Sequence, residues 1–135
     1  MEINEYKHLP IEDIRKKPLN YNWYNICDRN LSENFIREFQ NYVVWEYVCC
    51  RQVLSEAFII EFIDKISWYY ISSNQKLSEN FIKKYQNKVI WNHISGIQKL
   101  SKEFIIEFAD KINFRCLLKN ERINDDVKEF CKVFI

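Results

Sequence analysis

The feature that most constrains this chain is a sequence unit that recurs every 23 residues. It begins at Leu31, Leu54, Leu77 and Leu100, so that the units span residues 31–53, 54–76, 77–99 and 100–122. A unit this short cannot bury an apolar face by itself, whereas a stack of such units can. The repeat therefore predicts a solenoid in which each unit packs on its neighbours.

The first half of each unit carries the pattern of an amphipathic α-helix. Large apolar residues fall at unit positions 1, 5, 6, 9 and 13, and these offsets place them in one stripe on a helix. A serine at position 2 is a favourable N-cap. The leucine before it is placed to pack onto the isoleucine at position 6 as a hydrophobic staple. In the first unit these residues are Leu31, Ser32, Phe35, Ile36, Phe39 and Val43.

The second half of each unit predicts a helix of about two turns. It begins at Trp45, Trp68, Trp91 or Phe114, and an aliphatic residue follows three positions later. We expect these aromatic side chains to pack in the core rather than to stack on nucleobases. The whole chain has one glycine and two prolines, which leaves little material for tight hairpin turns and argues against an all-β fold.

Degenerate units are expected to cap both ends of the chain. In residues 1–30, Pro18 should end a first helix, and Asn22–Ile26 reproduces the second half of the unit. Residues 123–135 form half a unit with Asn124 as its N-cap. The predicted fold is all-α: an α-solenoid of short paired helices, built from 23-residue helix-turn-helix repeats in a single domain over residues 1–135.

A second, longer period lies within the first. Residues 31–45 and 77–91 share ten identities, and so do 54–68 and 100–114, whereas adjacent units share fewer. This alternation indicates a 46-residue super-repeat. Helices starting near Glu56 and Lys102 are apolar nearly all round, which is typical of a helix buried on two sides. We therefore expect Ile60, Ile63 and Ile106 to be buried, the alternative being an exposed patch for a partner.

Composition and charge limit the cellular compartment and the classes of function that this chain can have. The net charge is +1, which predicts no general attraction to nucleic acid or anionic lipid. Residues 1–67 contain 8 Lys/Arg and 11 Asp/Glu, whereas residues 68–135 contain 12 and 8. The N-terminus lacks the pattern of a signal peptide, and no apolar run reaches the roughly 20 residues of a membrane span. We expect an intracellular protein in a reducing compartment.

The cysteines and histidines offer no clear chemistry. Five cysteines in irregular spacing, Cys27, Cys49, Cys50, Cys116 and Cys131, are expected to be free thiols. The adjacent Cys49 and Cys50 leave open a vicinal disulfide or a soft-metal site. The two histidines, His8 and His93, are distant in sequence. No spacing supports a catalytic triad or a carboxylate pair, and one glycine cannot form a phosphate loop. We predict no enzyme, cofactor or metal.

The candidate binding residues are those that vary between units, because positions kept in every unit serve the fold. Most lie on the second helix, where Tyr69 and Tyr70 are the most typical of an interface. Lys83 and Lys84, with Lys88 on the same helix and Lys76, Lys99 and Lys102 near its flanking turns, suggest a basic patch or a solvated face. The candidate partner-binding residues are Glu46, Tyr47, Tyr69, Tyr70, Lys83, Lys84, Asn92, His93 and Arg115.

The unit Leu-Ser-Glu-Asn-Phe-Ile-x-x-Phe/Tyr-Gln-Asn-x-Val-x-Trp, closed by an Ile-Ser pair, resembles short repeats in proteins of giant viruses of the mimivirus type. The resemblance covers about residues 31–122. It implies a viral protein in the host cytoplasm or in a virus factory, and it implies no activity or site residue.

The sequence as a whole favours a non-enzymatic scaffold or adaptor that binds a protein partner, with self-association possible. One alternative is a nucleic-acid-binding repeat that uses the basic C-terminal half. A remote one is an F-box-like adaptor, because residues 9–14 (LPIEDI) resemble the start of an F-box.

Overall fold

The computed structural model describes residues 9–135, and within that range all regular secondary structure is helical, with eleven α-helices, two short 3-10 helices and no strand. The chain divides into two compact units, Met1–Ser67 and Trp68–Ile135. We refer to them as the N-terminal unit and the C-terminal unit and describe each by itself.

The described part of the N-terminal unit holds five α-helices. They are α1 (Ile11–Lys16), α2 (Trp23–Cys27), α3 (Glu33–Glu38), α4 (Trp45–Arg51) and α5 (Glu56–Glu61). Pro18 ends the first helix, as predicted, and opens a 3-10 helix at Pro18–Asn20.

The C-terminal unit holds six α-helices and a terminal 3-10 helix, Lys132–Phe134. They are α6 (Trp68–Asn74), α7 (Glu79–Lys84), α8 (Trp91–Ile97), α9 (Lys102–Glu107), α10 (Phe114–Leu118) and α11 (Asp125–Cys131). From α3 onward, equivalent helices start 23 residues apart, and α11 continues the series. The predicted all-α helical-repeat solenoid is confirmed.

Serine caps begin the first helix of every full repeat. The hydroxyls of Ser32, Ser55, Ser78 and Ser101 each accept the backbone N–H three residues later, at 3.1 Å. The following glutamate also acts between repeats. The Glu79 carboxylate accepts the Ser101 N–H at 2.6 Å and its hydroxyl at 3.0 Å, and Glu33 binds Ser55 with the same geometry. One acidic residue therefore fixes the start of the next repeat.

The first helices are shorter than their apolar stripe predicts. Helix α3 ends at Glu38, and Phe39 leaves the helical conformation with φ −105° and ψ 29°. The chain then makes a further turn, in which the Val43 N–H donates to the Phe39 carbonyl at 3.1 Å. Val43 and its equivalent Val89 remain buried, but they belong to this turn and not to one continuous helix. The prediction of a single helix through position 13 was wrong.

The tryptophans form the aromatic core between successive repeats, as predicted. In the C-terminal unit the Trp91 ring lies 6.2 Å from the Phe104 ring and 5.6 Å from the Phe108 ring, both in the following repeat. Trp23, Trp45 and Trp68 contact the equivalent pairs. The Trp91 indole N–H donates to the Gln86 carbonyl at 2.9 Å, which satisfies its one polar atom.

Within each unit, a buried side-chain amide at the end of a second helix connects successive repeats. Gln98 is almost fully buried; its amide nitrogen donates to the carbonyls of Ser72 and Gln75, at 3.1 and 2.7 Å. Its oxygen accepts the Leu77 N–H at 3.1 Å. In the next repeat Asn120 donates to Ser95 and Gln98. Gln52 binds the carbonyls of Cys27 and Arg29 and the Leu31 N–H in the same manner.

A small buried side chain on the second helix makes a further bond between repeats. The Ser95 hydroxyl accepts the Asn113 N–H at 2.9 Å, and the Ser72 hydroxyl accepts the Ile90 N–H at 3.0 Å. In the N-terminal unit the sulfur atoms of Cys27 and Cys49 occupy this position and accept the N–H groups of Val44 and Ser67, at 3.3 and 3.4 Å. These two cysteines are therefore structural equivalents of serine.

The 46-residue alternation is expressed in surface charge and not in burial. At position 7, Arg37 binds Glu61 at 3.0 Å and Lys83 binds Glu107 at 2.8 Å, each in the next repeat. The alternate repeats carry Ile60 and Ile106 there, and these side chains are 40% and 53% exposed, while Ile63 is half-buried. The expectation that all three are buried was wrong. Position 7 faces solvent, and Ile63, at position 10, is only partly covered.

No helix formed by residues 9–135 has the length and apolar character needed to cross a membrane.

The amide connections predict a large cost for a one-atom change at Asn120. In Asn120→Asp, a carboxylate would face the two carbonyl oxygens to which the amide now donates, so we expect a loss of about 3 kcal/mol in the free energy of unfolding at pH 7. Asn87→Asp, at an exposed position, is the matched control and should change stability by less than about 0.5 kcal/mol.

Urea unfolding at pH 7 and pH 4 measures both variants. The fold should raise the pKa of the introduced carboxyl, because burial and the carbonyl oxygens oppose its ionisation. A raised folded-state pKa favours the native state at low pH, so the deficit of Asn120→Asp relative to Asn87→Asp should shrink at pH 4. Equal stability of the two variants at pH 7 would contradict this role for Asn120.

Candidate functional site

The second helices present the residues that vary most between repeats. In the C-terminal unit, Tyr69 is 54% exposed, and its ring meets the rings of Tyr70 and His93 edge to face, at centroid distances of 5.2 and 4.6 Å. We call Tyr69, Tyr70 and His93 the aromatic cluster. Three of the residues selected from sequence are therefore brought together on one surface, across two successive repeats.

In the N-terminal unit, the equivalent residues make more contacts with neighbouring side chains. Tyr47 is half-buried and packs edge to face on Tyr24 at 5.4 Å. The guanidinium carbon of Arg51 lies 4.8 Å from the centre of the Tyr47 ring, and the same side chain pairs with Asp28 at 2.8 Å. Glu46 is exposed and is not part of this group of rings.

The remaining predicted residues lie apart from the aromatic cluster. Lys83 is neutralised by Glu107 at 2.8 Å, and the ammonium of Lys84 lies 5.4 Å from the centre of the Tyr85 ring. The Asn92 side-chain oxygen accepts a hydrogen bond from the Asn113 amide at 2.9 Å, and Arg115 is exposed. The basic patch expected around Lys83 and Lys84 therefore includes one lysine that already has an acidic partner.

The structure separates a second set of cations from that patch. Lys99, Lys102 and Arg122 line a cavity of about 510 Å³ in the C-terminal unit. Lys76, Lys99 and Arg122 line a neighbouring one of about 370 Å³. Sequence reasoning named Lys76, Lys99 and Lys102 but grouped them with Lys83, and it missed Arg122. The available signal was a basic residue at the last position of three consecutive units.

Three of the five thiols are packed in the interior. All five cysteines are free, with Cys27, Cys49 and Cys131 buried and Cys50 and Cys116 half-buried. Burial raises the pKa of the Cys27 and Cys49 thiols to about 11 each, so both are protonated at neutral pH. Cys49 and Cys50 form no vicinal disulfide. Within residues 9–135 no group of three or more His, Cys, Asp or Glu side chains is arranged to hold a metal ion; His8 lies outside that range.

Comparison with known protein families, with characterised proteins and with solved structures finds no match to this chain.

The thiol environments predict a graded reaction with iodoacetamide. In the native protein at pH 8, Cys50 and Cys116 should be alkylated first. Cys27 and Cys49 should react far more slowly, because they are inaccessible and only about one thiol in a thousand is ionised at that pH.

Peptide mapping by mass spectrometry over a time course measures this order, and the same reaction in urea should label all five cysteines at similar rates. Labelling of Cys27 or Cys49 as fast as Cys50 in the native protein would contradict the packing described for these thiols.

Proposed function

We propose that this protein is a non-enzymatic scaffold that binds a protein partner through the aromatic cluster of its C-terminal unit. The observation that supports the proposal is the state of Tyr69, which is half exposed yet held against two neighbouring rings. The resemblance of its repeats to those of giant-virus proteins suggests the host cytoplasm or a virus factory as the place of action.

Tyr69 is suited to binding by its contact area and by the restricted position of its ring. Tyrosine contributes a large contact area with few rotatable bonds, which is why it is enriched among residues that dominate interface energies. Packing against Tyr70 and His93 restricts the Tyr69 ring before any partner arrives, so less conformational entropy is lost on binding. The exposed part of the ring then remains available for burial by the partner.

The helical repeat supports this role because one set of residues maintains the fold and a different set is available to contact a partner. Caps, tryptophans and buried amides recur from repeat to repeat, whereas Tyr69, Asn92 and Arg115 occupy one repeat position with three chemistries. A surface of this kind can be specific for one partner without altering the core. The same surface could equally bind a second copy of the chain.

The alternative of nucleic-acid binding is supported by the excess of basic residues in the C-terminal unit. It makes a different prediction, because binding through phosphate contacts weakens steeply as salt rises. Binding through the aromatic cluster should change little between 50 and 200 mM salt.

The proposal predicts that Tyr69→Ala weakens partner binding by about 30-fold, the effect of losing roughly 2 kcal/mol at an interface hot spot. Tyr24→Ala is a matched control, because Tyr24 follows Trp23 as Tyr69 follows Trp68, is 58% exposed and also packs edge to face on another tyrosine. Its effect should be below threefold.

The measurement is affinity capture with the wild-type protein and both variants, followed by titration of the captured partner, with size-exclusion chromatography to detect self-association. A partner or dimer lost with Tyr69→Ala and kept with Tyr24→Ala supports the proposal. Equal retention by all three proteins would contradict it.

A further inference from the structure

The closing turns of the C-terminal repeats carry a row of cations. Lys76, Lys99 and Arg122 are the last residues of units 54–76, 77–99 and 100–122, and all three are exposed. The buried amides Gln98 and Asn120 are bonded within these same turns. The cations therefore stand on turns that buried hydrogen bonds connect to a neighbouring repeat.

The two cavities beside this row form one groove. They share Leu77, Lys99 and Arg122 among their lining residues. We call this the closing-turn groove. Its floor is aliphatic, since Leu77, Leu100 and Val127 line it, and both leucines are buried. Its rim is basic, with Lys76, Lys99, Lys102 and Arg122.

Among the residues that line this groove, four cations face a single acidic residue, Glu79. Among residues 9–135, none of Lys76, Lys99 and Arg122 takes part in an ion pair. The acidic lining residue Glu79 already accepts two hydrogen bonds from Ser101. Lys102 has a different contact, with its ammonium 4.3 Å from the centre of the Phe130 ring. Three cations beside an apolar floor are thus left to interact with an anionic ligand.

We propose that the closing-turn groove binds an extended acidic peptide segment of a partner protein, with acidic side chains on the basic rim and aliphatic side chains on the floor. Packed helical layers are roughly 8–10 Å apart. A peptide in the extended polyproline II conformation has three residues per turn and advances about 3.1 Å per residue. Acidic residues three positions apart therefore point to the same side of the peptide, about 9 Å from one another, and match cations one repeat apart. Arg122 can bind a carboxylate with two parallel N–H groups.

A peptide fits this groove better than a single-stranded nucleic acid does. Proteins that bind single strands combine a basic channel with aromatic faces on which bases stack. The residues that line the closing-turn groove include no aromatic side chain. The aliphatic floor can instead contact aliphatic side chains such as leucine. Nucleic acid has no such side chains. The closing-turn groove is a different surface from the aromatic cluster, so either proposal can fail without the other.

The test uses fluorescence anisotropy with a labelled 12-residue peptide in which glutamate occurs at every third position with leucine and alanine between. The wild-type protein should bind it, and the same peptide with glutamine in place of glutamate should bind at least about tenfold more weakly. The double variant Lys99→Gln/Arg122→Gln should also lose at least about tenfold in affinity. Tyr69→Ala should not change the affinity, which separates this result from that of the aromatic cluster.

The matched control is Lys84→Gln/Lys88→Gln, which removes the same charge from exposed positions of the same unit outside the groove. Its affinity should stay within about twofold of wild type, and circular dichroism should show that both double variants are folded. Equal losses in the two double variants, or no binding of the glutamate peptide at millimolar concentration, would overturn the proposal. Tighter, groove-dependent binding of a 12-nucleotide oligothymidine would overturn it in favour of nucleic acid.

Discussion

A side-chain amide buried at the end of the second helix is the interaction on which the repeat depends. A helix that ends inside a protein leaves carbonyl groups without intrahelical partners, and short helices have proportionally many of them. Gln98 satisfies two such carbonyls from the preceding repeat and also accepts the N–H that starts its own repeat. Gln52 does the same in the N-terminal unit. One side chain thus fixes the distance between successive helix pairs.

The short helices explain why so many polar bonds run between repeats. Helices of five to seven residues have little stability of their own, so each must be ordered by its neighbours. Glu79 holds the cap serine of the next repeat, Ser95 holds the entry to the next second helix, and Trp91 packs on the next pair of rings. Because these contacts are local in sequence, the remaining surface is free to differ from repeat to repeat.

Much of this architecture could be predicted from the sequence, because periodicity reports directly on helix faces and caps. The serine caps, the packing of the tryptophans between repeats and the Asn124 cap were all predicted correctly. The burial of Ile60 and Ile106 was not, since an apolar residue at a solvent-facing position looks the same in sequence as one in the core. Gln52 and Gln98 were overlooked because a polar residue in a closing turn normally suggests exposure, and only their recurrence at one unit position marks them.

The candidate sites were less accessible to prediction. The choice of Tyr69, Tyr70 and His93 followed from their variation between repeats, and the structure brings their rings together. The separation of Lys83 from Lys99 depends on which neighbour each one meets, Glu107 in one case and the groove in the other. Sequence proximity alone cannot show which lysines have an acidic partner and which ones line the groove.

The central claim, that buried amides connect the repeats, is tested most directly by amide hydrogen exchange of the native protein, followed by NMR. The N–H groups of Leu31 and Leu77 lie outside helices but donate to Gln52 and Gln98. They should therefore exchange as slowly as the core helical amide of Ile82, which is bonded to the Ser78 carbonyl. Exchange of Leu31 and Leu77 as rapid as that of the neighbouring Lys76 amide would contradict the claim.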